Sequence, residues 1–404
     1  MHEPCPGTSG NSGSSLRRSR PMSVTSAAGF SASGIAAGIR SSGKLDLALV
    51  VNTGPHRTAA GVFTSNRVKA APVRWSEHVL AGGELAAVVL NSGGANACTG
   101  SEGYRDTVAT AARTAASLGV PPGQVAVCST GLIGQRLPMP ALLVGVDAAA
   151  SALSTAGGEA AAQAIMTTDV RPKNTHVRSA HFSLGGMAKG AGMLAPSLAT
   201  MLCVLTTDAV VEPATLDKAL REATRLTFDR LDSDGCMSTN DTVLLLASGA
   251  SGHQPSITSF TDALTAACQD LATQLLADAE GATKDISITV ASAASEADAL
   301  EVGRSIARSA LLKCALFGND ANWGRVLAAI GTTRAQFDSE RLDVAINDVW
   351  VCRSSTAAAS RSTVNLTERE VRIQVDLHSG IEQATIWTND LSLAYVHENS
   401  AYSS

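Results

Sequence analysis

Two glycine-rich turns combine small polar side chains with backbone amides that could bind a negative charge. NSGGANACTG, at residues 91–100, follows an apolar run at 85–90, and STGLIG, at 129–134, follows a similar run at 124–128. Amides and hydroxyls at the ends of strands can form an anion-binding nest or an oxyanion hole, which would suit acyl transfer. Spacing alone favours a plain tight turn at each place, so the oxyanion-hole interpretation needs support from elsewhere in the chain.

A third glycine-rich segment, GGMAKGAGMLAPSL at residues 185–198, is followed by Ala199, Thr200 and the apolar run 201–206. Its composition predicts a loop that delivers the chain into a strand. Many threonines lie near strands, so this pattern alone does not single out Thr200 as a reactive residue.

Nucleotide binding by the same loop is disfavoured. Gly190, Gly192 and Ala195 match GxGxxA, but a dinucleotide fingerprint must open a helix, and here a proline and a strand-like run follow. Lys189 is not followed by Ser or Thr, as a phosphate-binding P-loop requires.

The spacings of common hydrolases and metal sites are missing from the sequence. The histidines are isolated, with no HExxH pattern, and there is no GxSxG elbow. The eight cysteines include no CxxC pair, which favours reduced, mostly buried thiols in a cytoplasmic protein. We therefore predict neither a metal site nor a disulfide framework.

Composition sets the broad class of the protein. The 404 residues are 45% hydrophobic and 17% charged with a net charge of −5, which fits a large core in two or three domains or one large two-layer unit. The acidic balance argues against a broad nucleic-acid surface, and no apolar run approaches the ~18 residues that cross a bilayer. Residues 1–23 are polar and lack the apolar stretch of a signal peptide, so we expect a disordered tail.

The rest of the chain mixes strand and helix patterns, and both hairpin-like and crossover spacings occur. This favours α/β architecture with layered mixed or antiparallel sheets over a purely parallel sheet. Strands are predicted at 45–51, 59–64, 85–90, 124–128, 201–206, 242–247, 286–291, 371–377 and 384–388. Helices are predicted at 104–118, 214–231, 259–280, 296–315 and 322–330. In FGNDANWGR, Asn319 or Asp320 could cap the last helix, or Trp323 could form a ligand shelf.

Several separate motifs, taken in order, are specific to one family. They are NSGGANACTG at 91–100, STGLIG at 129–134, IMTTD at 165–169, KGAGMLAPSLATML at 189–202, DAEGATK at 278–284, NDANWGR at 319–325 and ENSAYSS at 398–404. From about residue 24 to Ser404 the chain resembles the ornithine acetyltransferase family, also called the arginine biosynthesis bifunctional proteins, of the actinobacterial type. One departure is Ala321, where the family usually has proline; this loosens a loop and leaves the neighbouring motif residues in place.

The resemblance implies a self-processing fold whose nucleophile is an N-terminal threonine, with helices outside the sheets. Cleavage would fall between Ala199 and Thr200, giving an alpha chain, 24–199, and a beta chain, 200–404, assembled as two copies of each in a heterotetramer. The freed Thr200 amine, with a reference pKa of ~7.7–8.0, could act as the base for its own hydroxyl. This chemistry needs no histidine.

The resemblance also implies acetyl transfer from N-acetylornithine to glutamate through an acetyl-threonine ester. Thr130 and Gly131 would stabilise the oxyanion. Substrate contacts would fall to Thr167, Lys189, Thr200, Glu280, Asn399 and Ser404. No cofactor is implied, and use of acetyl-CoA as a co-substrate stays open.

Each of these assignments has a plainer alternative. Lys189 could be a solvated loop lysine, Glu280 a charge at the exposed end of helix 259–280, and Thr167 a turn residue. Asn399 and Ser404 could act only if the C-terminal tail were held over the site. Two other functions also stay open: an aminopeptidase or amidohydrolase on the same fold, and an uncut binding protein.

Overall fold

The computed structural model describes residues 22–193 and 201–401. The first part contains seven strands, β1 (Phe30–Ile35), β2 (Leu47–Asn52), β3 (Thr58–Phe63), β4 (Ala87–Asn91), β5 (Val125–Ser129), β6 (Lys173–Arg178) and β7 (Ser183–Lys189). Its four helices are α1 (Ala71–Leu80), α2 (Gly100–Leu118), α3 (Met139–Ser151) and α4 (Gly158–Ala164).

The second part contains eight strands, β8 (Leu202–Thr207), β9 (Thr242–Ala247), β10 (Asp285–Ala293), β11 (Asp343–Ile346), β12 (Val349–Arg353), β13 (Thr356–Ala357), β14 (Glu370–Asp376) and β15 (Glu382–Asn389). Its six helices are α5 (Pro213–Leu226), α6 (Ile257–Ala277), α7 (Glu296–Ala307), α8 (Ala310–Phe317), α9 (Trp323–Ile330) and α10 (Leu393–Ala401).

The strands form three sheets, in the orders β1-β2-β4-β5, β3-β9-β8-β7-β6 and β13-β12-β11-β14-β10-β15. Each sheet is mixed, because β4 and β5, β8 and β9, and β10 and β14 are parallel whereas the other named pairs are antiparallel. The first two sheets share a core in which Val50 and Leu90 lie on one side and Val204 and Leu244 on the other. Two-sided burial explains why the central strands are continuous apolar runs.

Helices cover the outer faces of these two sheets. Helices α5 and α6 pack on the five-stranded sheet, and α2 and α3 pack on the four-stranded sheet. The third sheet has a separate core with α7, α8 and α9. The predicted layered α/β architecture with mixed sheets and outer helices is therefore confirmed. No helix of residues 22–193 and 201–401 has the length and apolar character needed to cross a membrane.

The predicted loop at 185–198 is partly wrong, because residues 185–189 belong to β7. Glycine is unfavourable in strands, so the two glycines at the start of this segment made strand β7 look like a loop in the sequence. The packing explains the glycines: a Cβ on Gly185 would lie 2.4 Å from the carbonyl oxygen of Ser23, and one on Gly186 would lie 2.8 Å from a methyl of Leu205. Close backbone approach, and not loop flexibility, is the reason for glycine here.

Two helix predictions also need correction. The helix expected at 296–315 is two helices, since the Ser309 side chain accepts a hydrogen bond from the Leu312 amide and begins α8. Helix α9 is capped by Asn322, whose side chain accepts from the Arg325 amide at 3.3 Å, and not by Asn319 or Asp320. Trp323 packs partly buried against the core of the third sheet.

The predicted tail, 1–23, falls almost entirely outside the described residues. Ser23 is described and is buried, and its amide donates to the Ser26 hydroxyl at 2.9 Å. Of the seven cysteines in the described residues, four are buried and three are exposed, and all seven are free thiols.

Candidate active site

The two glycine-rich turns lie side by side because β4 and β5 are parallel neighbours. Asn91 and Ser129, the last residues of these strands, are partners in the register, and the Ser129 hydroxyl donates to the Asn91 side chain at 2.6 Å. The Thr130 amide donates to the Asn91 carbonyl at 3.0 Å, and Thr130 pairs with Gly94 across the turns. Thr130 is therefore held, buried, where both strands end.

Gly131 adopts a conformation that only glycine tolerates here. Its φ is +128°, and a Cβ would lie 2.8 Å from the Gly94 amide nitrogen. None of the described residues accepts a hydrogen bond from the Gly131 amide. This leaves an amide donor beside the Thr130 hydroxyl, which is the arrangement an oxyanion hole requires.

Lys189 ends β7 and is only 2% exposed, so it is not a solvated loop lysine. Its Nζ donates to the Thr167 hydroxyl at 2.7 Å and lies 3.5 Å from the Thr130 hydroxyl. Burial lowers the pKa of Lys189, and the negative charge of Asp169, 3.9 Å away, only partly opposes this. The result is a cation fixed beside the predicted oxyanion site.

A buried ion-pair network supports this lysine. Asp169 accepts from the Lys173 ammonium at 2.6 Å and from the Gly190 amide at 2.7 Å, and Lys173 also donates to Asp278 at 2.6 Å. Burial opposes the ionisation of Asp169, but the charges of Lys189 and Lys173 outweigh it and lower the pKa of Asp169 to about 2. Asp169 therefore stays charged, and it fixes the end of β7.

Glu280 lies beyond the end of α6, which stops at Ala277, so it is not a helix-end charge. The hydroxyl of Thr168 donates to the Glu280 carboxylate at 2.7 Å, and the backbone amide of Glu280 donates to the Ala191 carbonyl at 2.9 Å. A Cβ on Gly192 would lie 2.7 Å from that carboxylate, so glycine at 192 makes room for it.

The C-terminal helix α10 lies against the residues that follow Glu280. The Ser392 hydroxyl donates to the Gly281 carbonyl, and a Cβ on Gly281 would lie 2.2 Å from the Tyr395 amide nitrogen. Asn399, one turn farther along, donates to the Tyr395 carbonyl at 3.0 Å. Helix α10 is thus held over the site, as the assignment of Asn399 requires.

These side chains meet in one cavity of about 60 Å³. Its lining includes every predicted site residue that the structure describes: Thr130, Gly131, Thr167, Lys189, Glu280 and Asn399. The other predicted site residues, Ala199, Thr200 and Ser404, lie outside the described residues. Within the described residues there is no group of three or more side chains suited to hold a metal ion.

Comparison with known proteins identifies the family of this chain. The sequence model of the ArgJ family matches residues 31–404. The chain belongs to the ArgJ family. The arginine biosynthesis bifunctional protein ArgJ of Streptomyces coelicolor is 64% identical over 383 residues, which cover 95% of this chain and 100% of that protein. The resemblance seen in the motifs is confirmed.

Other similar proteins carry related names. The ArgJ protein of Mycobacterium tuberculosis is 56% identical over 393 residues, covering 95% of this chain and 97% of that protein. A crystal structure of ornithine acetyltransferase from Mycobacterium tuberculosis, complexed with ornithine, is 52% identical and covers 45% of this chain and 96% of that chain, with a TM-score of 0.41.

Two further residues of this ArgJ chain shape the site without belonging to any predicted motif. Asn240 joins the two turns, because its side-chain amide donates to the carbonyls of Ala95 at 2.6 Å and Ser129 at 2.8 Å. Asp241 is fully buried and accepts from the Met201 amide at 3.1 Å. Both partners of Asn240 are more than 100 residues away in sequence, so only the fold could reveal its role.

Burial raises the pKa of Asp241 well above the ordinary carboxyl range, although the hydrogen bond from Met201 opposes the shift. The second carboxyl oxygen of Asp241 is buried and has no hydrogen-bond partner within the described residues. The residue that follows Thr200 is thus anchored by a carboxyl group that favours its neutral form.

Proposed function

We propose that this protein transfers the acetyl group of N-acetylornithine to glutamate, through an acetyl ester on Thr200. It is an arginine-biosynthesis acetyltransferase of the ArgJ family. The observation that carries the proposal is the cavity, in which the described residues assigned from the motifs meet although they come from five separate segments. Its substrates are small molecules.

The sheet register supports a reactive Thr200 at this place. Strands β7 and β8 are antiparallel neighbours, and Lys189 pairs with Leu202. Thr200 precedes Leu202 by two residues, so the segment that contains the cleavage site connects β7 and β8 at the same end of the sheet. We propose that Thr200 attacks the Ala199 carbonyl, and that water then releases the alpha chain, 24–199, and the beta chain, 200–404. Two copies of each would form the heterotetramer, in the cytoplasm.

Acetyl transfer then proceeds in two half-reactions. The Thr200 amine takes the proton of its own hydroxyl, and the hydroxyl oxygen attacks the acetyl carbonyl. The Thr130 hydroxyl and the Gly131 amide stabilise the oxyanion. The Cα-bound amine of ornithine takes the proton and leaves, and the α-amine of glutamate attacks the ester to give N-acetylglutamate and free Thr200.

The charges around the cavity suit the donor amino acid. Lys189 pairs with the substrate carboxylate, and Glu280 pairs with the side-chain ammonium of ornithine. Thr167, Asn399 and Ser404 complete the substrate contacts. No cofactor takes part. The word "bifunctional" in the relatives' names fits a second donor, and we propose that acetyl-CoA also acetylates Thr200.

The test is a pair of substitutions at the nucleophile. Thr200→Ala should remain one 41.2 kDa chain and form no acetyl ester, whereas Thr200→Ser, which keeps a hydroxyl, should still be cut. Amino-terminal sequencing of the wild-type fragment should read Thr-Met-Leu-Cys-Val. Cleavage of Thr200→Ala would refute the assignment.

The rival functions give different results in the same preparation. A hydrolase on this fold would release free acetate without requiring glutamate. A binding protein would stay uncut in the wild type. Production of N-acetylglutamate that depends on both amino acids excludes both.

A further inference from the structure

A second cavity, of about 660 Å³, opens beside the first and shares Gly131, Thr167 and Thr168 with it. We propose that this basic cavity binds one carboxylate of glutamate, so that one of the two carboxylates of the acceptor is recognised by cations that the donor does not use. The inference rests on the proposed function, and it assigns the second carboxylate of the acceptor a place of its own.

The cavity carries positive charge that no ion pair neutralises. Arg40 and Lys44 line it, and no acidic residue does. Within the described residues neither side chain forms an ion pair with a carboxylate. The neighbouring carboxylate, Asp46, is fully buried and accepts from the amides of Ala37, Ile39 and Arg40.

Two hydrogen bonds position the Arg40 side chain next to the wall that the two cavities share. Its two terminal nitrogens donate to the carbonyls of Met166, at 3.0 Å, and Leu45, at 2.9 Å. Met166 directly precedes the Thr167–Thr168 wall that the two cavities share. Lys44 is exposed at the mouth of the cavity and can reach a bound anion.

The first cavity alone is a poor site for glutamate. Glu280 would attract the side-chain ammonium of ornithine, but it would repel the side-chain carboxylate of glutamate. An amino acid whose amine is fixed at the acetyl ester can still turn about its N–Cα bond. Glutamate can therefore place one carboxylate on Lys189 and the other in the basic cavity, leaving Glu280 bound only by the Thr168 hydroxyl.

The two half-reactions allow a direct test. The cleaved wild-type protein is compared with Lys44→Gln and Lys44→Glu. The release of ornithine measures acetylation of Thr200 in the first half-reaction. The loss of the acetyl ester after glutamate is added measures transfer in the second. We expect KM for glutamate to rise several-fold in Lys44→Gln and about tenfold or more in Lys44→Glu, because the second change repels the carboxylate. KM for N-acetylornithine should stay within about twofold, since the first cavity is untouched.

Two comparisons sharpen the result. The preference for glutamate over glutamine, measured as the ratio of kcat/KM values, should fall in both variants, because only the charged side chain loses a partner. Lys218→Gln, a change at an exposed lysine on α5, should leave all constants unchanged. Arg40→Gln should raise KM for glutamate as Lys44→Gln does. If Arg40→Gln does not fold, the two Lys44 variants are sufficient for the test.

Three outcomes would overturn the inference. One is an unchanged KM for glutamate in both Lys44 variants, and another is a rise in KM for N-acetylornithine equal to the rise for glutamate. The third is a change in KM for acetyl-CoA alone, which would assign the cavity to a thioester donor. A wild-type protein that forms no acetyl ester would instead refute the proposed function itself. That result is obtained before any variant is made, so the two failures are distinguishable.

Discussion

The Met201 amide donates a hydrogen bond to the Asp241 side chain at 3.1 Å, while the Met201 carbonyl accepts from the Thr242 amide at 3.1 Å. Both polar groups of the residue that follows Thr200 are therefore held by the start of β9. Because β8 and β9 are parallel and in register from Leu202 and Thr242 onward, this anchor continues the sheet to the predicted cleavage site.

Asp241→Ala should slow self-cleavage by about tenfold or more, because small displacements of a reacting group cost large factors in rate. Asp241→Asn should cut faster than Asp241→Ala, since its carbonyl oxygen can still accept from Met201. The measurement is the fraction of uncut chain against time after synthesis. The conservative variant separates positioning from a general loss of packing.

Asp208 provides the matched control for Asp241. It follows the other end of β8, is also buried, and accepts from the amides of Ser183, at 2.7 Å, and Ala28, at 3.2 Å. Asp208→Ala should be destabilised yet fully cut. Equal cleavage rates in Asp241→Ala and wild type would remove Asp241 from this role.

Thr130→Ala should reduce kcat by about two to three orders of magnitude, the usual effect of losing one oxyanion-hole donor. Thr130→Ser should recover most of the rate. Thr224→Ala, at an equally buried threonine on α5, controls for the loss of a buried hydroxyl. Steady-state kinetics on cleaved protein decides, and wild-type turnover in Thr130→Ala would exclude Thr130 from the site.

KM for N-acetylornithine should rise on the alkaline side at a pH below the ordinary lysine pKa of ~10.4. Burial lowers the pKa of Lys189, so its ammonium loses a proton, and its attraction for the carboxylate, earlier than a surface lysine would. Lys189→Gln should have a high KM at every pH and lack this alkaline rise. A wild-type KM that follows the same pH profile as Lys189→Gln would contradict the role of Lys189.

Asp169→Asn should lower the free energy of unfolding at neutral pH by about 3–5 kcal/mol, because it leaves buried lysines without their charge partner. The pKa of Asp169 is lowered to about 2 in the fold, so its contribution is present above the unfolded pKa of ~3.9 and is lost as pH falls toward 2. The difference between variant and wild type should therefore shrink in acid. Denaturant titrations across pH measure it.

Asp217→Asn is the control for that measurement. Its partner on α5, Arg221, is 2.8 Å away, and both side chains are exposed. Exposed pairs contribute about 0–1 kcal/mol, so this variant should unfold almost like the wild type. A similarly small decrease in the free energy of unfolding for Asp169→Asn would show that the buried network contributes little to stability.

Local sequence was sufficient for much of this molecule. The nine predicted strands are present because continuous apolar runs such as 242–247 have few alternatives to a buried strand. The ordered motifs identified the family and named six described residues that do line one cavity. Local patterns failed at 185–189, where glycine conceals a strand, and at Ser309, where a cap divides a helix.

By itself, then, the sequence determined the family, the class of fold, nine of the fifteen strands in the described residues and the identity of the motif residues. Only the tertiary structure decided that Lys189 is buried, that Asp169 and Lys173 support it, and that Asp241 anchors Met201. It also decided that a basic cavity adjoins the predicted active site. The physical reason is that burial, charge pairing and cavity shape depend on chain segments far apart in sequence, whereas strand and motif patterns depend on neighbouring residues.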